Sequence, residues 1–311
     1  MQQITLGSSS LTVSRLAYGC WRLAGSEGAP PEPNSDTGKR AVLAAVDAGY
    51  TLFDLADIYG GGRCESIFGE ALRETPGLRD RLVIATKCGI RPGGSPAGMP
   101  GRYDFSAAHI LQSVEGSLKR LGVETLDLLM LHRPDYLMDP VEVAGAFDRL
   151  HSAGKVREFG VSNFRSAQVS LLQQFLPRRL CVHQVEISLL QRAALDDGAL
   201  DQCLTEQLTP MAWSPLAGGL LGERVHGLLP GQRGYQPDKI RPVLDSLAAG
   251  LGVTRAQLAL AWLMKHPARI QPVIGSVQPG SIRDLARATE ISLSREDWYR
   301  LLVAAHGAAL P

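Results

Sequence analysis

Apolar residues along the chain fall into two alternating kinds of run. Short runs, apolar almost throughout, cover residues 16–21, 51–54, 82–87, 126–132, 156–162, 182–187, 211–213 and 270–274. Runs of this kind read as strands buried on both faces, as in a parallel sheet. Between them, residues 37–48, 65–73, 107–121, 141–152, 166–175, 199–206, 238–250 and 254–265 read as helices, most from apolar positions at helical period, with stops at Gly49, Gly122 and Gly154. Further helices are expected from Ser281 and from Ser294. Ahead of the first strand, residues 4–13 alternate around a Gly/Ser turn and predict a hairpin.

Eight parallel-type strands, each followed by helix, predict an α/β fold closed as a (β/α)8 TIM barrel, with an N-terminal β-hairpin and extra C-terminal helices. One domain, residues 1–311, is expected, since no repeat or linker interrupts the alternation. Two loops rich in Gly and Pro, residues 89–102 and 218–237, both follow strands. They therefore belong to the C-terminal face, where barrel active sites lie, and are candidate pocket walls or lids.

Composition narrows the class. With 45% apolar and 20% charged residues in 311, the chain reads as an ordinary soluble globule. A net charge of +1 gives no electrostatic ground for binding nucleic acid or an anionic membrane surface. The five cysteines, Cys20, Cys64, Cys88, Cys181 and Cys203, form neither a disulfide framework nor a zinc pattern. Reduced thiols, a cytoplasmic location and no metal are expected. No signal peptide is visible, and no apolar run approaches the roughly 20 residues of a membrane span.

Three of the strands end in ionisable side chains: Asp54, Lys87 and His132. Apart from these, only Thr86 and Asp127 interrupt the apolar run of the last two. A charge at the tip of a buried strand is unfavourable in a core and useful at the mouth of a pocket. In a barrel the second, third and fourth strands are neighbours, about 4.8 Å apart, so the three tips converge. Tyr59, five residues past Asp54, can fold back over them. Singly, each has a bland reading, as a rim charge, a satisfied histidine or a tyrosine packed by a glycine turn. Together they suit proton donation by a phenol. A free phenol, with a pKa of about 10, is a weak acid at neutrality. A lysine cation beside it is expected to lower that value, an aspartate to hold the lysine, and a histidine to orient a carbonyl. Such a set suits carbonyl reduction, and the hydride must come from a nicotinamide or flavin.

The segments Phe53-Asp54-Leu55-Ala56-Asp57-Ile58-Tyr59-Gly60, Ile84-Ala85-Thr86-Lys87 and Leu131-His132-Arg133-Pro134-Asp135 resemble signatures of the aldo-keto reductase family. So do Gly160-Val161-Ser162-Asn163-Phe164, Gln184-Val185-Glu186 and Trp213-Ser214-Pro215-Leu216. The resemblance runs the length of the chain and is closest to a bacterial branch of oxidoreductases without a firmly assigned substrate. It implies a barrel that binds NADP(H) in extended form, with Tyr59 as general acid and base, Lys87 and Asp54 tuning it, and His132 positioning the carbonyl.

No G-x-G-x-x-G occurs, which disfavours a Rossmann site. The resemblance instead implies that Ser162, Asn163 and Gln184 hold the carboxamide. Trp213 stacks on the nicotinamide, and Ser214, Pro215, Leu216 and Gly218 pass near the pyrophosphate. Gly275, Ser276 and Gln278 open the segment that grips the adenosine 2′-phosphate. Gly275 and Ser281 stand where many members carry basic residues; Arg283 is the candidate substitute. NADP(H) is the favoured cofactor, and NAD(H) stays open. Trp21, Ile58 and Tyr103 are expected to line the substrate pocket. The expected partner is a small-molecule carbonyl substrate, on a monomer or weak homo-oligomer. Two other readings stand beside it: a cofactor-binding regulatory subunit, like the barrel subunits of potassium channels, and a sugar or alcohol dehydrogenase working oxidatively.

Overall fold

The computed structural model describes residues 1–25, 35–94, 97–223, 228, 232 and 234–309. Parts of the two long loops, residues 95–96, 224–227, 229–231 and 233, lie outside the described residues, and so does part of the lid expectation.

Eight parallel strands close on themselves. They are β1 (Ala17–Gly19), β2 (Leu52–Asp54), β3 (Val83–Cys88), β4 (Leu126–Leu131), β5 (Val156–Ser162), β6 (Val182–Glu186), β7 (Thr209–Trp213) and β8 (Gln271–Ile274). Each pairs with its neighbour in sequence, and β8 returns to β1 with Val273 opposite Ala17 and Ile274 opposite Tyr18. Helices Asp36–Asp47, Arg63–Glu74, Ala107–Leu121, Pro140–Ser152, Ser166–Phe175 and Ala199–Glu206 separate the first seven strands. Pro237–Leu251 and Arg255–Met264 precede β8, and Pro279–Ala286 and Arg295–His306 follow it. The helix starts carry their chemistry: Ser106 accepts from the His109 amide, Asp139 from Val141, and Thr254 with Gln257 forms a reciprocal cap.

The barrel interior holds Ala17, Leu52, Ala85, Leu128, Met130, Val182, Met211 and Val273. Its N-terminal mouth is closed by the hairpin of Gln3–Thr5 and Thr12–Ser14, whose Ile4, Leu6, Leu11 and Val13 join that cluster. The hairpin fits tightly. A Cβ on Gly7, at φ +51°, would come 2.5 Å from the Cys181 carbonyl oxygen. With that end plugged, the C-terminal end is the open mouth of the barrel.

Two polar residues inside β3 and β4 find partners that explain them. Asp127 accepts from Arg79 at 3.0 Å, from Arg157 at 2.9 Å and from the Ile84 amide at 2.8 Å, at the end away from the strand tips. Thr86 faces the helix layer and is treated below. The sequence reading starts β7 at Met211, but Thr209 and Pro210 already pair with Val182 and His183. A proline reads as a break because it lacks a donor, and one partner strand tolerates it here. A small antiparallel hairpin, Ile90–Arg91 with Arg102–Tyr103, and a short helix, Ala193–Asp196, are additions the pattern does not predict. Among the described residues no single helix is long and apolar enough to cross a membrane.

Candidate active site

Asp54 ends β2, and the chain turns at once. The Asp57 amide donates to the Lys87 carbonyl at 3.1 Å, and the Tyr59 amide to Ala56 at 3.1 Å. Gly60, Gly61 and Gly62 follow at φ +58°, +65° and +91°. Three successive left-handed residues are open only to glycine at little cost, so this turn carries Tyr59 back over the barrel mouth.

Lys87 is 1% exposed. Its Nζ lies 2.7 and 2.8 Å from the two Asp54 carboxylate oxygens, 2.8 Å from the Leu55 carbonyl and 3.1 Å from the Tyr59 hydroxyl. An ammonium has three protons, and here three groups take them. Tyr59 therefore accepts from Lys87, and its own proton is left for another acceptor. Gln184 adds a donor to Asp54 at 3.1 Å. Burial works against the charge on Lys87, but Asp54 and Tyr59 outweigh it and hold the amine above its ordinary value. Tyr59 departs from expectation. Burial raises its hydroxyl, and the opposing pull of Lys87 does not reverse that, partly because Asp54 adds to it. In this state the lysine offsets desolvation rather than producing a net fall.

His132 follows β4 directly, its amide donating to the Cys88 carbonyl at 2.9 Å. Burial, then Lys87 and Arg133, push its imidazole down to about 2. It is a neutral ring, one nitrogen donating and one accepting. Its ring lies edge-on to Tyr59, centroids 5.8 Å apart, and its Nδ1 is buried without a partner among the described residues. The three strand-tip residues and Tyr59 thus come together at the barrel mouth.

The residues expected around a cofactor are joined to one another first. Asn163, at φ +61°, donates to the Ser162 hydroxyl at 2.8 Å and the His132 carbonyl at 3.2 Å, and accepts from the Trp213 indole at 2.9 Å. Asn163 is thereby a brace between β4, β5 and β7 rather than a free amide. Ser162 keeps a hydroxyl proton, and Gln184, its NH2 on Asp54, presents its oxygen. That donor and acceptor suit a carboxamide. Ser214 and Ala217 take positive φ and Gly218 sits at φ +65° in the turn after β7, with Pro215 and Leu216 between them. Past β8, the Gly275 carbonyl accepts from Arg22 at 3.2 Å, the Ser276 carbonyl from Tyr18 at 2.8 Å, and Gln278 flanks helix Pro279–Ala286. Arg283 is on the last turn of that helix, exposed, and makes no ion pair among the described residues. Its charge suits the helix C-terminus there, the solvated-face role.

Trp21 is 46% exposed, so it is a rim residue and not core. Its carbonyl accepts from the Cys64 thiol at 3.5 Å, which ties its turn to the helix after Tyr59. Ile58 is half-buried beside Tyr59, and Tyr103 sits on the small hairpin opposite Ile90.

A carboxylate pair behind the site was not foreseen. Glu65 is fully buried and accepts from Thr86, next to Lys87, at 2.6 Å and from Arg120 at 2.7 Å. The signal was Thr86, a lone hydroxyl in an apolar strand. Asp57 is half-buried nearby, its Oδ1 buried and unpartnered among the described residues; burial, then Glu65, raise it to about 7, against Ser113, Arg120 and the Ile58 amide. A raised carboxyl binds its proton more tightly in the folded state, so stability falls as pH rises from about 4 to about 7. Asp57→Asn is expected to be more stable than the parent at pH 8 by roughly 2–4 kcal/mol, with the gain vanishing near pH 4. Urea unfolding at the two pH values checks this; an equal effect at both would show that Asp57 is not the titrating group.

A closed parallel barrel with a tyrosine, lysine, aspartate and histidine gathered at its open end has the architecture of a barrel enzyme. Residues 15–303 match the Aldo/keto reductase family, and the chain belongs to it. It is 42% identical to a 6-dehydroglucose reductase of Novosphingobium aromaticivorans, over 98% of this chain and 96% of that one. It is 30% identical to an NADH-specific methylglyoxal reductase of Escherichia coli, over 96% of each. Among solved structures, the glycerol dehydrogenase of Gluconobacter oxydans superposes with a TM-score of 0.86 at 28% identity, covering 99% of this chain and 97% of that one. The protein is an oxidoreductase of that family, which uses nicotinamide cofactors.

Proposed function

We propose that this oxidoreductase reduces the carbonyl of a small, polar aldehyde or ketone with NADPH, Tyr59 giving the proton. The observation that carries the reading is the Lys87–Tyr59 hydrogen bond at 3.1 Å, donated by lysine, which leaves the phenolic proton free at the pocket mouth. Ser162 and Gln184 would hold the carboxamide, and Trp213 would pack on the nicotinamide face. That cofactor, when bound, supplies the hydride. A neutral His132 donates to the carbonyl oxygen and orients it, and Tyr59 transfers its proton to the same oxygen. Lys87 then stabilises the phenolate that remains, and Asp54 keeps Lys87 in place. Relatives named for 6-dehydroglucose, methylglyoxal and glycerol support a small oxygenated substrate. The glycerol dehydrogenase likeness also favours, as a second reading, the oxidative direction on a polyol, with Tyr59 recovering its proton as the base.

Paired titrations with NADPH and NADH, followed by turnover on a panel of small aldehydes, ketones and polyols, test this. Tighter NADPH binding with steady turnover on a carbonyl is expected. Binding without turnover on any of the panel would favour a regulatory subunit and remove the proposal.

A further inference from the structure

Arg22 is a cation that the proton-transfer site does not use. It lies in the turn after β1, half-buried, and pairs with no carboxylate among the described residues. The fold nevertheless holds it in place. Its Nη1 donates to the Gly275 carbonyl at 3.2 Å, across the β8–β1 seam. Its Cζ rests 5.4 Å from the centroid of the half-exposed Trp21 ring. A guanidinium has five N–H donors, and one carbonyl leaves most of them open.

Gly275 lies directly against it. A Cβ there would make ordinary contact, 3.4 Å from Arg22 Nη1 and 3.7 Å from the Gly19 carbonyl, so a side chain borne at 275 would share the neighbourhood of the guanidinium. The strand tip after β8 carries no side chain at 275, and the neighbouring tip after β1 supplies a cation beside it. Trp213 stands at the tip of β7, so a dinucleotide with its nicotinamide against that ring has only to cross the tip of β8 to bring its phosphates to Arg22. Strand spacing makes that about 10 Å. A fork of free N–H donors fits phosphate oxygens in a bidentate way, which a lysine cannot match.

We propose that Arg22 binds a phosphate of the nicotinamide dinucleotide, in place of a basic residue on the segment after β8. This rests on the cofactor reading above and assigns the anchoring charge within it. Arg22→Ala is expected to raise the dissociation constants of the cofactor by about 10- to 100-fold, the range for losing hydrogen bonds to a charged group. Arg22→Lys should recover part of that. Binding is followed by quenching of tryptophan fluorescence, with thermal unfolding to confirm that each variant keeps the parent fold. A loss at least tenfold larger for NADPH than for NADH assigns Arg22 to the 2′-phosphate; an equal loss assigns it to the pyrophosphate. The double variant Arg22→Ala/Gly275→Lys returns a cation to the same space from the other strand and should restore NADPH affinity. A structural role for Arg22 gives no such rescue. A parent that binds both cofactors and an Arg22→Ala variant with unchanged affinities overturn the proposal. A parent that binds neither overturns the cofactor reading instead.

Discussion

Tyr59→Phe is expected to lower kcat on any accepted carbonyl by about 10³-fold, within the 10²- to 10⁴-fold range of general acid catalysis, while cofactor affinity stays at the parent value. The change removes one oxygen, the atom that accepts from Lys87 at 3.1 Å, and keeps the ring that packs edge-on to His132. Ring packing and the glycine turn survive, so unfolding should shift little. The pH profile gives a second reading. Burial raises the Tyr59 hydroxyl above the ordinary range, so the proton to be donated is present throughout the neutral range and lost only at high pH. His132, pushed down to about 2, contributes no step between pH 5 and 8. The parent reductive rate should therefore be flat across that interval and fall only in alkali. Residual turnover within threefold of the parent in Tyr59→Phe would falsify the role assigned to the phenol.

The barrel was legible because its signal is repetitive. Buried strands of a parallel sheet carry apolar residues on both faces, and the helices between them carry a period that strands cannot share. The tips of β2, β3 and β4 were legible for the opposite reason. Asp54, Lys87 and His132 break the pattern, and in a closed barrel sequential strands are neighbours, so order along the chain gave proximity in space. Tyr59 could be placed because it follows Asp54 by only five residues, in the loop after that strand.

Other parts of the site depend on contacts that sequence order does not encode. Gln184 reaches Asp54 from β6, and Trp213 reaches Asn163 from β7, across strands that are not adjacent in the barrel. Nothing local to Asn163 says that its amide is taken up by neighbours. Glu65 looks like an ordinary helix-surface carboxylate until the fold sets it against Thr86 and Arg120. The direction of the Tyr59 shift turned on a magnitude: proximity of Lys87 was readable, whereas the burial that outweighs it emerges only when the turn closes over the barrel mouth.

Lys87→Met is expected to produce the largest loss of stability of any single change at the site, about 3–5 kcal/mol, together with loss of turnover. The pair it breaks is nearly sealed: the side chain of Lys87 is 1% exposed and that of Asp54 is 5% exposed. Methionine fills much the same volume, so the effect is electrostatic and not a cavity. Asp54 keeps the Gln184 donor but loses its counter-charge, and Leu55 and Tyr59 each lose a donor. In the parent, the amine of Lys87 is held above its ordinary value, so its contribution is fully present below about pH 10 and is lost only above that. Adding Asp54→Asn to Lys87→Met removes the unpaired carboxylate, and stability should recover by half or more while activity stays absent. Denaturant unfolding of the parent, both single variants and the double variant measures the coupling. Additive losses in that cycle would mean that Asp54 and Lys87 act independently, and the account of a lysine held charged by its aspartate would have to be abandoned.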